Sequence, residues 1–346
     1  MRVLCVLFAS LFFLHDACFC QQSSAKKASV ECKRELKELC KKAFELEQKI
    51  LKEEEVLDCI NQEERTSAPV VKNKYEILAR CLTLLCDIQR SSKILTINPD
   101  EKINDFVRCS IVIKNFASYF KSIGGQLGKA GSEVVALKRE KNIKKKRLQE
   151  LIDEYEKLVK KIDEKAAEIA KSRPENVIQS DVVYHIASKS ESIEELDAEL
   201  EAENAIGVLK NTRISTELSL DYPVCGKIVT EFGDKNPDGE MICYISFETR
   251  PGAIVRSPAK GCVVFAGKFL GYGNMVIISN GDYRVFVYGM DTIATSIGEF
   301  LEIGDYIGKM NASPLSNPVL KMELKKTGES LDPRHWMLQT IEKGKK

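Results

Sequence analysis

The stretch "GYGNMVIISNGDYRVFVYGM", from Gly271 to Met290, decides the fold of the C-terminal third of the chain. Two apolar runs flank Asn280-Gly281-Asp282, a turn sequence that favours a β-hairpin. Further short apolar runs with strand character are "GKIVTEF", "MICYISFE", "GCVVFAG" and "VLKMEL", and turn residues separate them. The chain from Tyr222 to about residue 340 therefore predicts one small antiparallel β domain.

The glycines divide the chain, because none precedes Gly124 and most lie from Gly226 onward. Glycine supplies the turn conformations that strands need and helix interiors avoid. The first two-thirds should therefore be helical and the last third rich in β-structure. We expect an α+β protein in which long helices precede the β domain.

Apolar residues recur at heptad spacing from Leu36 to Ile60 and again from Leu148 to Ile169. This spacing is typical of helices that wind around each other. We expect Ser67-Ala68-Pro69 to end the first helix, and the glycine-rich segment 124–131 to be a hinge or chain reversal. Residues 26–174 then form an antiparallel coiled-coil hairpin.

A further amphipathic helix is predicted between the coiled coil and the β domain, over residues 177–210 within a linking segment 177–215. Its middle, "ESIEELDAELEAE", is strongly acidic. Because this helix directly precedes the β domain, it could dock there within the same chain. His185 lies on it without a second ligand nearby, so we expect a packing or surface residue.

The N-terminus has the pattern of a secretory signal peptide over residues 1–20: Arg2, an apolar run and small residues before Gln21. We therefore expect an exported protein of the cell envelope. Nine cysteines remain after this segment, and an odd number cannot all pair within one chain. Free or variably paired thiols are favoured, without a defined connectivity.

Charged residues make up 30% of the chain, but the net charge is only +1. The chain therefore lacks the overall positive field that recruits nucleic acid. The basic cluster "KREKNIKKKR", residues 138–147, has no interleaved aromatic residues and is expected to be a solvated face or a docking tip. No nucleic-acid partner is predicted.

Five motifs of the β domain, taken together and in order, resemble lysostaphin-like (LytM-type) peptidase domains, which have a duplicated hybrid motif-like fold. They are "YPVCGKIVTEFGDKNPDG", "RPGAIVRSPAKGCVVFAG", "GYGNMVIISNGDYRVFVYGM", "GEFLEIGDYIGKM" and "LDPRHWM". Active members of that family bind zinc through His-x-x-x-Asp and the second histidine of His-x-His, and a Tyr-x-His histidine assists the chemistry. The resemblance therefore implies where a zinc site would lie.

The positions that correspond to these family residues are all changed in this chain. The zinc-ligand positions are Ile242, Ser246 and Lys321, and the assisting histidines are replaced by Val319 and Met290. A catalytic zinc site needs about three imidazole or carboxylate ligands and an open position for water. A charged lysine has no lone pair and repels a dication, so we expect no cofactor and no peptidase activity.

The order of signal peptide, coiled coil, linking helix and degenerate LytM-type domain resembles the EnvC-like murein hydrolase activators. That resemblance implies a periplasmic, non-catalytic protein that acts in cell division and cell separation. In that family the inactive groove binds a peptidoglycan amidase, the coiled coil docks on an FtsEX-type division transporter, and a preceding helix can occlude the groove. Peptidoglycan itself is a further candidate partner.

The partner-binding groove is expected where zinc would have been bound. Its candidate residues are Ile242, Tyr244, Ser246, Tyr288, Met290, Lys321 and Lys325. The apolar members would hold a partner helix and the two lysines would pair with its acidic residues. Two other interpretations stay open: an active zinc murein endopeptidase with an unusual metal site, and a structural envelope coiled-coil protein.

Overall fold

The computed structural model describes residues 2–92, 99–171, 177–206, 218–313 and 317–337. Four α-helices come first along the chain: α1 (Arg2–Ser92), α2 (Pro99–Lys171), α3 (Val177–Lys189) and α4 (Ile193–Ile206). Eleven strands follow in the described residues, and a short 3₁₀ helix, Pro333–Trp336, comes after the last of them. The predicted α+β class, with long helices before an antiparallel sheet, is confirmed.

The chain divides into two compact units, of which one is the helical segment Lys49–Asp153. In this unit α1 and α2 run antiparallel, because Glu53 pairs with Lys144 at 2.9 Å and Glu64 pairs with Lys141 at 2.8 Å. Leu127 is almost fully buried in the same unit. The antiparallel helical hairpin that the heptads predict is therefore present.

Two predictions about breaks in these helices were wrong. Pro69 lies inside α1, and the glycine-rich segment 124–131 lies inside α2. A helix-interior proline destabilises a helix by about 3 kcal/mol and a glycine by about 1 kcal/mol. Leu127, which lies among these glycines, is almost fully buried. Residues 93–98, between α1 and α2, lie outside the described part.

The other unit contains Met1–Gln48 and Glu154–Lys346, so it includes the roots of both long helices and the whole β domain. We call the segments Lys33–Gln48 of α1 and Glu154–Ile169 of α2 the stem root. Most predicted heptad positions of the stem root are buried: Leu36, Ala43, Leu46, Tyr155, Val159, Ile162 and Ile169. Leu39 and Ala166 are only half-buried, and Cys40 is buried beside Leu39.

Short apolar runs bounded by turns give the strands of the β domain. They are β1 (Gly226–Thr230), β2 (Ile245–Thr249), β3 (Ile254–Arg256), β4 (Gly261–Phe269), β5 (Gly273–Asn280), β6 (Tyr283–Met290), β7 (Thr292–Ile293), β8 (Phe300–Leu301), β9 (Tyr306–Lys309), β10 (Val319–Lys326) and β11 (Glu329–Leu331). The β5–β6 hairpin has the predicted two-residue loop, with Asn280 opposite Tyr283 and Gly281 at φ 60°.

The strands form a large and a small sheet, and every pairing is antiparallel. The large sheet has the order β1-β2-β10-β6-β5-β4-β8, with β11 on β10, and the small sheet has the order β3-β9-β7. The inner core lies between the two sheets, where Phe247 and Val287 of the large sheet pack with Val255 and Ile307 of the small sheet.

The opposite face of the large sheet is also apolar and is covered by α3 and α4. Phe265, Ile277 and Phe286 of the sheet pack with Leu196 and Leu200 of α4 in one buried cluster, which we call the outer cluster. The β domain therefore has three layers: small sheet, large sheet and a pair of short helices.

The predicted single helix 177–210 was wrong, because the chain forms two helices there. Ser192 caps α4 by accepting a hydrogen bond from the Glu195 backbone N–H at 3.2 Å, and the Glu195 carboxylate accepts one from the Glu191 N–H at 2.8 Å. A serine followed three residues later by glutamate is a capping signal. The break lets both helices follow the sheet; residues 207–217 lie outside the described part.

Side chains before Val30 are not described, so the signal peptide 1–20 stays a prediction. Within the described residues, no helix has a stretch long and apolar enough to cross a membrane. The cysteines whose side chains are described are free: Cys32, Cys40, Cys59, Cys81, Cys86, Cys225, Cys243 and Cys262.

Removing the Phe247 side chain should destabilise the β domain strongly, because its ring is fully buried in the inner core. We expect Phe247→Ala to lower the free energy of unfolding by about 3–5 kcal/mol. The fluorescence of Trp336, the only tryptophan, follows the transition in a denaturant titration of the full chain. Leu270→Ala, at a side chain that is 77% exposed, should change it by less than about 0.5 kcal/mol. Equal effects of the two changes would contradict the assigned core.

Candidate functional site

Three of the predicted groove residues lie side by side on the outer face of the large sheet. Strand β10 lies between β2 and β6, so Lys321 faces Ser246 on one side and Tyr288 on the other. The period of two along a strand places these side chains on the same face. The sheet register therefore brings together residues that are more than seventy positions apart in the sequence.

The Lys321 ammonium group lies among tyrosine rings at this place. Its Nζ is 4.5 Å from the centre of the Tyr244 ring and 6.0 Å from that of Tyr288. The two rings meet edge to face at 6.4 Å, and Tyr272 adds a third ring 5.4 Å from Tyr288. Cation–π attraction holds a lysine ammonium in such a position. Burial raises the pKa of Tyr288, so its hydroxyl stays protonated.

The three positions that correspond to zinc ligands do not fit a zinc ion. Ile242 offers an alkyl group, Ser246 a buried hydroxyl and Lys321 an ammonium group. At about 4 Å and an effective dielectric near 20, the ammonium would repel Zn²⁺ by roughly 8 kcal/mol. Among the residues that the structure describes, no three His, Cys, Asp or Glu side chains form a metal-binding group.

The structure separates one predicted groove residue, Met290, from the others. Met290 lies in the inner core, because a bulge at Gly289 interrupts the alternation of β6 after Tyr288. Gly289 has φ 96°, and a Cβ there would lie 2.6 Å from the Val319 carbonyl oxygen. Ile242 lies in the loop before β2, where its backbone N–H donates to the Asp234 carbonyl. The assignment of Met290 to the groove surface was therefore wrong.

Lys325, the remaining predicted groove residue, is covered by α4. Its side chain is 2% exposed and its Nζ lies 3.0 Å from Glu194 of α4 and 3.6 Å from Glu323. Burial raises the pKa of Glu323, against the opposing influence of Lys325 and Ser330. Partial burial disfavours ionisation of Glu194, but hydrogen bonds led by that from Lys325 outweigh it and lower the pKa.

A second ion pair between α4 and the outer face joins Asp197 to Arg284 of β6. Both residues are almost fully buried, and the guanidinium also donates to the Asp197 backbone carbonyl. Glu201, one helical turn further, approaches the same arginine at 3.9 Å. The acidic residues of α4 therefore neutralise the basic residues at the covered end of the groove.

Helix α3 is fixed to the sheet through a tyrosine and a glycine. The Tyr184 hydroxyl donates a hydrogen bond to the Ala266 carbonyl at 3.0 Å. Its ring lies where a side chain at position 267 would be, since a Cβ on Gly267 would come within 2.9 Å of the ring. Any larger residue at this position would therefore force the Tyr184 ring to shift.

Sequence reasoning missed three residues of the same face: Arg284, Phe286 and Glu323. Arg284 and Phe286 alternate with buried valines before Tyr288, and Glu323 lies between Lys321 and Lys325. The period-two pattern of β6 and β10 contains the signal that would have identified them. The pairing of Arg284 with Asp197 leaves no such signal, because it joins residues far apart in the sequence.

The site lies in a segment that matches a known family. Residues 244–333 match the Peptidase family M23. The murein hydrolase activator NlpD of Escherichia coli is 28% identical over 120 residues, which is 34% of this chain and 31% of that protein. The lipoprotein NlpD of Yersinia enterocolitica is 33% identical over 90 residues, 25% of this chain and 93% of that protein.

Other relatives match over a similar length of the chain. An uncharacterized protein of Neisseria meningitidis, NMB1333, is 29% identical over 119 residues, which is 34% of this chain and 20% of that protein. The chain thus spans a fifth to a third of the length of the first curated relatives it matches. The structure of Helicobacter pylori Csd3 is 23% identical with a TM-score of 0.32, covering 36% of each chain.

The Asp197→Asn change should loosen α4, because it leaves the Arg284 guanidinium buried without a carboxylate. Losing one partner of a buried ion pair destabilises by about 3 kcal/mol, which makes local opening roughly a hundredfold more frequent. Hydrogen exchange of the α4 amides measures this opening. Glu201→Gln, on the same helix and at the same arginine but half-exposed, should change exchange less than about fivefold. Similar exchange in both variants would contradict the assigned ion pair.

Restoring the family's ligands should create zinc affinity. We expect the triple variant Ile242→His, Ser246→Asp, Lys321→His to bind zinc at least about a hundredfold more tightly than the unchanged chain, because three imidazole and carboxylate ligands replace groups that cannot bind the ion. Calorimetric zinc titration is the measurement, with Ser246→Asp alone as the control. Stoichiometric zinc bound tightly by the unchanged chain would contradict the argument from its donor groups.

Proposed function

We propose, on the premise that the chain belongs to the M23 (LytM-type) family together with the NlpD lipoproteins, that it activates cell-wall hydrolases without cutting peptidoglycan itself. Its target in this proposal is a peptidoglycan amidase, stimulated during cell division and cell separation. The observation that carries the proposal is the Lys321 ammonium group, which lies beside Tyr244 at a position that corresponds to a zinc ligand.

The chemistry of the cleft supports protein binding in place of catalysis. A hydrolytic site must polarise a carbonyl and activate water, and a fixed ammonium group between tyrosine rings offers no metal-bound water for that purpose. The same group attracts carboxylates, and the half-buried Tyr244 ring offers apolar surface beside it. Aromatic residues next to a cation are typical of the central residues in protein interfaces.

The amidase segment that binds here is, in this proposal, an acidic amphipathic helix laid along the groove. Such a helix buries apolar residues on one face and places carboxylates near Lys321 and Lys325. Support for this comes from α4, which already binds the covered end in this manner through Leu196, Leu200 and Glu194. The partner would therefore replace α4 at one end of the groove and contact Lys321 at the other.

Helices α3 and α4 are the proposed regulatory element, because they cover Lys325, Arg284 and Phe286. A partner that needs these residues can bind fully only after α4 has left. In the proposal the coiled coil, residues 26–174, docks on an FtsEX-type division transporter, and that contact promotes the release. Peptidoglycan remains a further candidate ligand.

The proposed location is the bacterial periplasm, reached through the signal peptide 1–20. Relatives named as lipoproteins or as an outer membrane antigenic lipoprotein support an envelope location. Murein, the substrate of the hydrolases, is found there.

Releasing α4 should increase stimulation of an amidase. We expect the double variant Leu196→Glu, Leu200→Glu to stimulate a purified amidase roughly tenfold more than the unchanged chain, because two carboxylates cannot remain in the apolar outer cluster. Release of dye from labelled peptidoglycan measures the activity. Ala198→Glu with Ala202→Glu adds the same charge on the exposed face of α4 and should behave like the unchanged chain.

The outcomes separate the alternatives. Peptidoglycan cut by the purified chain with zinc, in the absence of amidase, would favour an active endopeptidase. No stimulation of amidases by either the unchanged chain or the Leu196→Glu, Leu200→Glu variant would favour a structural envelope protein.

Reversing the charge of the open end of the groove should abolish activation. We expect Lys321→Glu, made together with Leu196→Glu and Leu200→Glu, to lower stimulation at least about tenfold, because a carboxylate there repels an acidic partner. Lys326→Glu, on an exposed residue of the same strand, is the matched control and should retain stimulation. Undiminished stimulation by the Lys321→Glu protein would remove Lys321 from the binding site.

A further inference from the structure

The stem root lies against the small sheet, on the side of the β domain opposite to the groove. We call this contact the stem seat. Ion pairs line its rim: Lys33 with Glu299 at 2.8 Å, Lys37 with Asp305 at 3.4 Å, and Asp163 with Lys309 at 2.9 Å. Exposed pairs of this kind contribute little to stability. The free energy that holds the stem root on the β domain therefore comes mainly from the interior of the seat.

The interior of the stem seat combines aromatic, basic and thiol groups. The Arg256 guanidinium of β3 lies 3.6 Å from the centre of the Phe44 ring of α1 and pairs with Asp221 at 3.6 Å. Cys40, one helical turn before Phe44, is completely buried. Burial raises the pKa of the Cys40 thiol to about 12, so it stays neutral.

Glu47 is a residue of the seat whose chemistry conflicts with its surroundings. Its side chain on α1 is completely buried. The Tyr155 hydroxyl of α2 donates a hydrogen bond to Oε1 at 3.0 Å, while Oε2 has no hydrogen-bond partner among the described residues. A carboxylate needs several donors when it is removed from water. One donor is too few for the ionised form.

The groups that face Glu47 come from every element around it. Burial raises the pKa of Glu47 to about 8, and the Tyr155 hydrogen bond, Arg250 and Arg256 oppose this only in part. Arg250 follows β2. Arg256 lies on β3, where it already pairs with Asp221 and lies over the Phe44 ring. Burial keeps the Cys225 thiol neutral, because it raises the pKa to about 12, and the proximity of Glu47 acts in the same direction.

We infer that the stem seat is a proton-dependent contact, which we call the clamp. It holds the stem root on the β domain while Glu47 is neutral, and it loosens when Glu47 ionises. The buried carboxyl group fits the seat as an uncharged hydrogen-bonding residue. Once ionised, it gains stability by reaching water, and it can do so only if α1 moves away from β3. This inference does not depend on the proposed activation of amidases.

The direction of the pH dependence follows from the two states. In the seated state the pKa of Glu47 is about 8, whereas in the open state it returns to the ordinary value of 4.5. The seated state therefore keeps a proton that the open state loses between these pH values. The equilibrium constant for opening should rise with pH across this window, by at most about tenfold per pH unit, and should be constant below it.

Cys40 is a natural probe of this opening, because its thiol is buried in the seat. The full chain is labelled with a dithiodipyridine between pH 5 and 8.5, and each modified cysteine is located by peptide mass. Rates are divided by those of the urea-unfolded chain at the same pH, which removes the titration of the thiol itself. We expect the relative rate at Cys40 to rise by about two to three orders of magnitude. Cys262, buried in β4, reports unfolding of the β domain and should remain protected.

Two variants complete the experiment. Glu47→Gln should stay protected at Cys40 at every pH, as the unchanged chain is at pH 5, because the neutral amide cannot ionise. Glu45→Gln, on the exposed side of the same helix, should follow the unchanged chain. A flat profile in the unchanged chain, a persistent rise in Glu47→Gln, or loss of protection at Cys262 in step with Cys40 would each overturn the clamp. Rapid labelling of Cys40 in the Glu47→Gln chain at pH 5 would also contradict the clamp.

Discussion

Burial of both faces of the large sheet is the constraint on which the rest of the β domain depends. Strands β4, β5 and β6 are apolar on both sides, so neither face can be left to water. The small sheet covers one face and α3 with α4 covers the other. Each large apolar side chain in such a contact contributes about 1.5–3 kcal/mol. The two short helices are therefore part of the domain's stability as well as its proposed regulator.

The cleft keeps a positive charge although its residues do not suit a metal ion. Lys321 provides that charge from a covalently attached side chain, and Tyr244 and Tyr288 hold it in position. A zinc ion brings open coordination positions for water, whereas an ammonium group offers only hydrogen-bond donors. In the proposed function, the surface therefore attracts carboxylates and does not activate a nucleophile.

Local patterns predicted much of the fold. The Asn280-Gly281-Asp282 turn and the heptads around Leu36 led to the right elements, since turns and helix faces are set by nearby residues. Pro69 and the glycines of α2 led to wrong predictions of helix breaks, because packing between helices outweighs local helix propensity. The site was predicted in part: Lys321 and Tyr288 follow from strand alternation, but the bulge that removes Met290 from the groove and the Arg284–Asp197 pair depend on contacts that only the folded chain creates.

The bulge at Gly289 also decides which side chains of β6 can reach the cleft. Position 290 is where relatives of the active type carry an assisting histidine, yet here its side chain points into the inner core. A histidine introduced at that position would place an imidazole among aliphatic residues, distant from any substrate. The backbone would have to be straightened first, and Gly289 would then give up the close approach to Val319 that its missing side chain permits. The conformation of the main chain at Gly289 therefore keeps the side chain of residue 290 out of the cleft.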